Sequence, residues 1–487
     1  MKEFQQSLFF KTTIYLVLIL TIGYLTTPFE IAFSDEIVFY LTAQKFLEIK
    51  GISSFIHFSK EFMISGLENN PIHPVFYQIL LAIWSCLFLT SSSVIYFNIA
   101  LFAIFLSLVD HFYLEKYIQC QVRLYLARIT LLCTPLGLSY AFSGMMEVLV
   151  LVLTGVALHL AYRPISRVRH LFYNILLWCL CIATRPTIFF SIAPFFAFRK
   201  DHKWGEIIYE MKRDSFKGTL FIFSGGLFLF VSWFSLFMRG EYPSLINNIS
   251  SETFIQEIFN RIKENHSLLF SWNSFPHDVF DYYFLLLFLI PFLMVVLSNV
   301  QRSLWVRIAT SWIFFYFFTY SLYAFSAWRS SRLFMAQASI TLIALFIFPP
   351  SIKNQKKQKY LLTSFAFLHI LLAYYHLDWI GHFRARQLRA IEKKSELQIK
   401  EGDIVLTDII TVNAILSTKK KIEIIIVSEE DLKDQRKFKE LVEASRPNYM
   451  TFYYKKELEI AGYRRLLKIE KEQGFHHWIK IYNSENH

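Results

Sequence analysis

Two adjacent carboxylates stand in Phe33-Ser34-Asp35-Glu36, four residues beyond the first long apolar run of the chain. Paired acids at a membrane edge can act as a general base or hold a cation. Tyr40, Lys45 and Phe46 follow at helical spacing, so the acids also head an amphipathic stretch, 37–47, where negative charge favours a helix N-terminus. A second group, Asn70-Pro71-Ile72-His73-Pro74-Val75-Phe76-Tyr77, leads into the next apolar run. Proline suits the first turn of a helix, and this leaves His73 and Tyr77 near the interface, with His73 either capping the helix or touching a ligand. Glu147, in Ser143-Gly144-Met145-Met146-Glu147, opens a further apolar run. A carboxylate there is costly unless it faces a cavity, a partner or the interface. Arg185, in Ala183-Thr184-Arg185-Pro186-Thr187, and the pair Arg329 and Arg332, in Trp328-Arg329-Ser330-Ser331-Arg332-Leu333, lie between apolar runs. Guanidinium groups suit phosphate oxygens; long side chains can also snorkel to the interface.

The elements that must hold these residues are set by composition. The chain has 487 residues, 54% hydrophobic and 18% charged, with mean hydropathy +0.38 and 52 Phe. A soluble chain of this length normally has about a quarter charged residues. The charge is also uneven: 21 of the 50 Lys and Arg and 17 of the 38 Asp and Glu fall in the last 104 residues. The chain therefore reads as an α-helical polytopic membrane domain, 1–383, followed by a small α/β soluble domain, 384–487. Apolar runs lie at 12–29, 75–90, 94–113, 125–142, 146–162, 171–184, 187–198, 218–238, 282–298, 304–325, 333–350 and 360–377. The first run has no small-residue cleavage site before a mature domain and further runs follow, so it reads as a retained helix rather than a signal peptide.

Lys and Arg in short loops mark the inner side of a membrane. Lys2, Lys11 and the loops 163–170, 199–217 and 353–359 are then inside, and the loops 30–74 and 239–281 and the C-terminal domain are outside. Twelve crossings from an inside start would end inside. The expectation is therefore 11–13 crossings, with one segment between 75 and 142 re-entrant or one crossing beyond the list. The net charge of +12 sits in these loops, which argues against a nucleic-acid partner. In the charged domain, short runs at 404–406, 422–427 and 478–482 are strand-like and 429–444 is helical in pattern. The five Cys all lie in or beside apolar runs, so neither a disulfide framework nor a zinc site is indicated. All five groups of candidate residues fall on the outer side of this scheme, as the parts of one site beside lipid would.

The order of these motifs resembles the GT-C superfamily of polytopic glycosyltransferases that use lipid-phosphate-linked sugars. Within it the chain looks most like the branch of protein O-mannosyltransferases and aminoarabinose transferases. Asp35-Glu36 with the stretch to Leu47 is similar to that branch's first outer loop, and His73-Pro74-Val75-Phe76-Tyr77 to its Pro-Pro-Leu-Tyr-Tyr helix start. Met145-Met146-Glu147 aligns with its Arg-Thr-Asp, and Thr184-Arg185-Pro186 with its Thr-Lys-Gly-Pro turn. Arg332-Leu333-Phe334-Met335-Ala336 is similar to its Arg-Tyr-x-x-Pro, with the Tyr and Pro absent. The resemblance spans about residues 1–350.

What the resemblance implies is an inverting transfer from a polyprenyl-phosphate sugar to a hydroxyl or amine of a lipid, glycan or protein acceptor. No metal or other cofactor is called for, beyond at most weak assistance by a divalent cation. Asp35 would be the general base, with Glu36 beside it. Arg185 and Arg332, helped by Arg329, would neutralise the departing lipid phosphate. Glu36, Glu147, His73 and Tyr77 would orient donor and acceptor. The setting would be a multi-pass protein of a bacterial plasma membrane, with membrane lipids as partners and the C-terminal domain extracytoplasmic. The alternative is a transporter or flippase of a lipid-linked or anionic substrate, which would place ionisable groups near the bilayer midplane.

Overall fold

An apolar stretch removed from water must satisfy its own N–H and C=O groups, and a helix does so within one segment. A computed structural model of the chain describes residues 2–26, 75–87, 93–142, 146–161, 165–184, 203–237, 278–297, 302–322, 335–350, 355–394, 402–408, 423–427, 435–453, 463–469 and 479–484, with single positions at 43, 47, 188, 191, 192, 195 and 256. The apolar runs carry helices: α1 (Lys2–Thr26), α2 (Val75–Ser85), α3 (Ser93–Val109), α4 (Gln121–Leu132), α5 (Pro135–Phe142), α6 (Glu147–Ala161) and α7 (Val168–Thr184). There follow α8 (Trp204–Arg213), α9 (Ser215–Phe237), α10 (Asp278–Leu297), α11 (Arg302–Leu322), α12 (Met335–Ile347) and α13 (Gln355–Lys394). The run 187–198 is helical at its four described positions.

Among the described residues, three helices are long and apolar enough to cross a membrane: Ser7–Thr26, Ser93–Tyr117 and Lys356–Asp378. Twenty residues of helix rise about 30 Å, the thickness of the hydrocarbon core. A fourth candidate joins Trp204–Arg213 to Ser215–Val231 through a bend of 116°. Shorter apolar helices lie at Phe76–Ser85, Glu147–Leu160, Val168–Thr184, Leu286–Leu297 and Met335–Ile347. The run 125–142 is one stretch in sequence but two helices in the structure. Pro135 has no N–H to continue α4, so the ladder stops at Cys133-Thr134 and Pro135 opens α5. The second long helix passes through a π turn, Asp110–Leu114, before its last turn, Glu115–Tyr117.

The chain divides into two compact units. One comprises Met1–Ile22, Pro71–Tyr77 and Asn98–His376. At its centre is α12, every residue of which is buried, packed against α4, α6, α10, α11 and the π turn. Two of its polar residues bond to α11: Gln337 Nε2 donates to the Ser311 carbonyl and hydroxyl, each at 3.1 Å, and Trp312 Nε1 donates to Thr341 Oγ1 at 2.9 Å.

The other unit comprises Gly23–Asn70, Gln78–Phe97 and Leu377–His487. Its described strands are β1 (Ile404–Asp408), β2 (Glu423–Val427), β3 (Tyr449–Tyr453), β4 (Tyr463–Ile469) and β5 (Ile479–Ser484), with α14 (Gln435–Ser445) before β3. They form a sheet in the order β2-β1-β3-β5-β4. β1 pairs in parallel with β2 and β3, and β5 runs antiparallel between β3 and β4. Leu406, Val427 and Met450 of the sheet pack on Phe438 and Val442 of α14. Arg446 takes a left-handed conformation (φ 44°) as α14 ends, and Pro447 follows where the helix cannot continue. Asn448 then braces β1, its side-chain oxygen accepting the Ile404 N–H at 2.8 Å. The strand-like runs at 404–406, 422–427 and 478–482 lie on β1, β2 and β5; β3 and β4 add two strands that the sequence pattern did not separate from their charged surroundings.

Candidate functional site

Of the eight candidate site residues, Tyr77 and Glu147 lie among the described residues; Asp35, Glu36, His73, Arg185, Arg329 and Arg332 lie outside them. Glu147 is the first residue of α6. The Met146 carbonyl already accepts the N–H groups of Leu149 (3.0 Å) and Val150 (3.4 Å), so the helix begins at Glu147 itself. The carboxylate stands where the helix dipole favours negative charge. It is 1% exposed, with buried Met146, Val148, Leu149, Val150 and Leu151 around it in sequence. Glu147 is therefore an enclosed acid rather than a solvated one.

Tyr77 is fully buried on α2. Its hydroxyl donates to Asn98 Oδ1 of α3 at 2.9 Å, and Asn98 Nδ2 donates to the Tyr140 carbonyl of α5 at 3.3 Å. α5 in turn packs against α6, the helix that Glu147 opens. Tyr77 thus belongs to a polar chain that fixes α2, α3 and α5, and the helix supporting Glu147 rests on the last of them. Gly137 keeps α5 close: a Cβ there would meet the buried Phe102 ring at 2.4 Å.

The most developed charged cluster is one the motif reading missed. Asp110, 2% exposed, lies in the π turn. Arg128 of α4 grips it with two bonds and reaches Glu115 at 2.8 Å. Lys11 of α1 donates to Glu115 and lies 3.9 Å from Asp110. Two cations and two carboxylates cancel here, and they tie three segments together. The signal for it was present in the sequence: an acid inside an apolar run needs a partner.

A second buried polar pair joins α10 to α13. His369 Nδ1 lies 2.8 Å from the Phe365 carbonyl, which can only accept, so Nδ1 carries the proton. His369 Nε2 is then the acceptor for the Tyr283 hydroxyl at 2.8 Å. The geometry thus fixes the proton on Nδ1, and in the neutral ring Nε2 is left to accept. At the foot of α7, Glu210 accepts the Val168 N–H at 2.8 Å and Lys217 Nζ at 3.0 Å. The Val168 N–H, followed by Lys217, holds the Glu210 carboxyl below its usual range. Burial, reinforced by Asp403, pushes the Tyr449 hydroxyl up in the C-terminal unit. Among the described residues, no group of three or more His, Cys, Asp or Glu is placed to hold a metal ion.

No protein-family model matches the chain, and no curated protein matches it.

Proposed function

We propose that the chain is a GT-C-like membrane glycosyltransferase with 11–13 crossings and an outside α/β domain. It moves a sugar from a polyprenyl-phosphate donor to an acceptor hydroxyl or amine at the outer membrane face, with inversion. Asp35 takes the acceptor proton as the acceptor attacks the anomeric carbon. The sugar–phosphate bond breaks as the new bond forms, and Arg185 and Arg332 take up the charge of the departing phosphate, with Arg329 assisting. Phosphate is a good leaving group, so no strong acid is required.

The observation that carries the reading is the enclosure of Glu147 at the first turn of an apolar helix. An ionisable residue enclosed at a membrane helix end is by default a candidate for function. In this mechanism Glu147 orients Arg185 or the sugar, while Glu36, His73 and Tyr77 complete the surroundings of the donor and acceptor.

The test is transfer by the purified full-length protein from defined polyprenyl-phosphate sugars, with products identified by mass spectrometry. Asp35→Asn abolishes transfer while the protein still accumulates in the membrane. Undiminished transfer by that variant would remove Asp35 from the mechanism.

One observation favours the transporter reading. His369 lies near the middle of Lys356–Asp378 and is buried against Tyr283. Uptake or flipping of a lipid-linked substrate into sealed vesicles that disappears in His369→Phe, without any product of transfer, would favour it over the transferase.

A further inference from the structure

The loop 199–217 is not merely basic; within it α8 forms a helix with two unlike apolar flanks. On α8, Ile207 is 1% exposed and packs with Ile165, Val168, Leu171, Ile175 and Cys179, with Met211 beside them. Glu210 adds the bonds to Val168 and Lys217 described above, which lock α8 to the start of α7 and the start of α9. The other flank is exposed. Trp204 and Ile208, one turn apart, are 46% and 47% exposed, and Lys212 continues the same row one turn later. Arg213 follows it, and both basic residues are exposed.

The neighbouring helix shows what an outward apolar face means in this molecule. Phe216, Phe223 and Phe230 recur every seven residues along α9, with Ile222 and Leu229 beside them, and all five are exposed. That spacing is one stripe of a helix, and α9 is apolar enough to form a span with its neighbour. The chain turns by 116° between α8 and α9, nearer to a right angle than to a continuation. If α9 stands across the bilayer, α8 lies close to its plane. An in-plane helix with aromatic and aliphatic residues on one flank and Lys and Arg beside them fits the boundary between acyl chains and headgroups.

We infer that α8 is an in-plane membrane hook whose Trp204–Ile208 flank enters the headgroup boundary and whose Lys212 and Arg213 bind anionic phospholipid headgroups. The inference rests on the membrane-spanning reading of α9 and not on the transferase chemistry. Its occupant is lipid because the next helix carries a lipid-type stripe and this flank is also apolar and exposed, and anionic lipid because the end of the row is basic. The bend is rigid, held by Glu210 between Val168 and Lys217, so the hook fixes the depth of α9 and the direction of α7.

The test uses the full-length protein with its five cysteines replaced by serine, a background first checked for an unchanged melting temperature. A nitroxide is attached in turn at Glu206→Cys, Ile208→Cys and Phe223→Cys. Each sample is placed in nanodiscs of phosphatidylcholine, with or without phosphatidylglycerol. Collision with oxygen and with a water-soluble nickel chelate then reads the depth of each position. Position 223 meets oxygen alone, 206 meets nickel freely, and 208 is shielded from nickel and more shielded when phosphatidylglycerol is present. Two basic side chains at an anionic surface are worth roughly thirtyfold in partitioning. Lys212→Gln/Arg213→Gln therefore loses most of the response to phosphatidylglycerol. A nickel-accessible 223 overturns the membrane reading of α9. A shielded 223 with 208 as accessible as 206 overturns the hook alone. Shielding of 208 that ignores phosphatidylglycerol in the unaltered sequence overturns the anionic-lipid assignment.

Discussion

Arg128 holds Asp110 through two parallel bonds of 2.9 Å, Nε to Oδ1 and a terminal guanidinium nitrogen to Oδ2. The acid side chain is 3% exposed and the arginine 25%. Removing one member of such a pair strands the other charge away from water. Arg128→Met is expected to lower stability by about 3 kcal/mol. Asp110→Leu/Arg128→Leu should lose less than either single change, because the charges that remain, Lys11 and Glu115, still pair with each other. Arg128→Lys should recover only part of the loss, since an ammonium cannot make the two-bond fork. Thermal unfolding of the purified protein in detergent measures each of these.

Gly137 offers a cleaner packing test. An added methyl group would lie 2.4 Å and 2.6 Å from two atoms of the Phe102 ring, which is itself fully buried. Gly137→Ala is expected to cost about 1–3 kcal/mol through overpacking. Gly137→Ala/Phe102→Leu should regain much of it, because the smaller side chain vacates the space. A double variant no more stable than Gly137→Ala would show that α5 and α3 meet differently.

The Glu210 contacts predict a pH dependence with a definite sign. The carboxyl is held below its ordinary value of 4.5 by the Val168 N–H and Lys217. A lowered folded-state value means that the stabilisation is complete above the unfolded carboxylate range. It is lost as pH falls through the lowered value. The melting temperature should therefore drop more between pH 6 and about pH 3 for the unaltered protein than for Glu210→Gln. Equal drops in both would show that these contacts do not persist in solution.

Glu147→Gln keeps the size of the side chain and removes its charge. On the transferase reading, turnover falls on the order of 10²-fold, the cost of misplacing a reacting group by about an ångström. The melting temperature should hold, because the amide fills the same place. Full turnover in this variant would take Glu147 out of the site. A collapse of the fold with no soluble protein would assign it to structure instead.

The helices were legible in the sequence because their cause is local. An apolar run has few ways to satisfy its backbone, and Pro135 marks where one run becomes two helices. The runs at 404–406, 422–427 and 478–482 showed three of the strands for a similar reason, since they are short apolar runs rich in β-branched or aromatic residues. β3, Tyr449–Tyr453, and β4, Tyr463–Ile469, were not legible. They are strands because β1 and β5 offer edges for pairing, and that is a property of the sheet rather than of either segment. The last long helix extends beyond its apolar run 360–377, which lies within the span Lys356–Asp378. Its apolar part stops near 377, yet α13 runs on to Lys394, because charged residues continue a helix in water as readily as apolar ones do in lipid.

Residue type and order alone determined that this chain is apolar, helical and followed by a charged α/β domain, and they nominated Asp35, Glu36 and the arginines for chemistry. The tertiary structure decided which polar groups meet. Asp110 and Arg128 are 18 residues apart, Tyr77 and Asn98 are 21 apart, and Tyr283 and His369 are 86 apart. No periodicity connects such pairs. Each forms because a polar group buried among apolar helices is costly until a partner on another helix reaches it, and only the packing of the helices brings that partner within 3 Å.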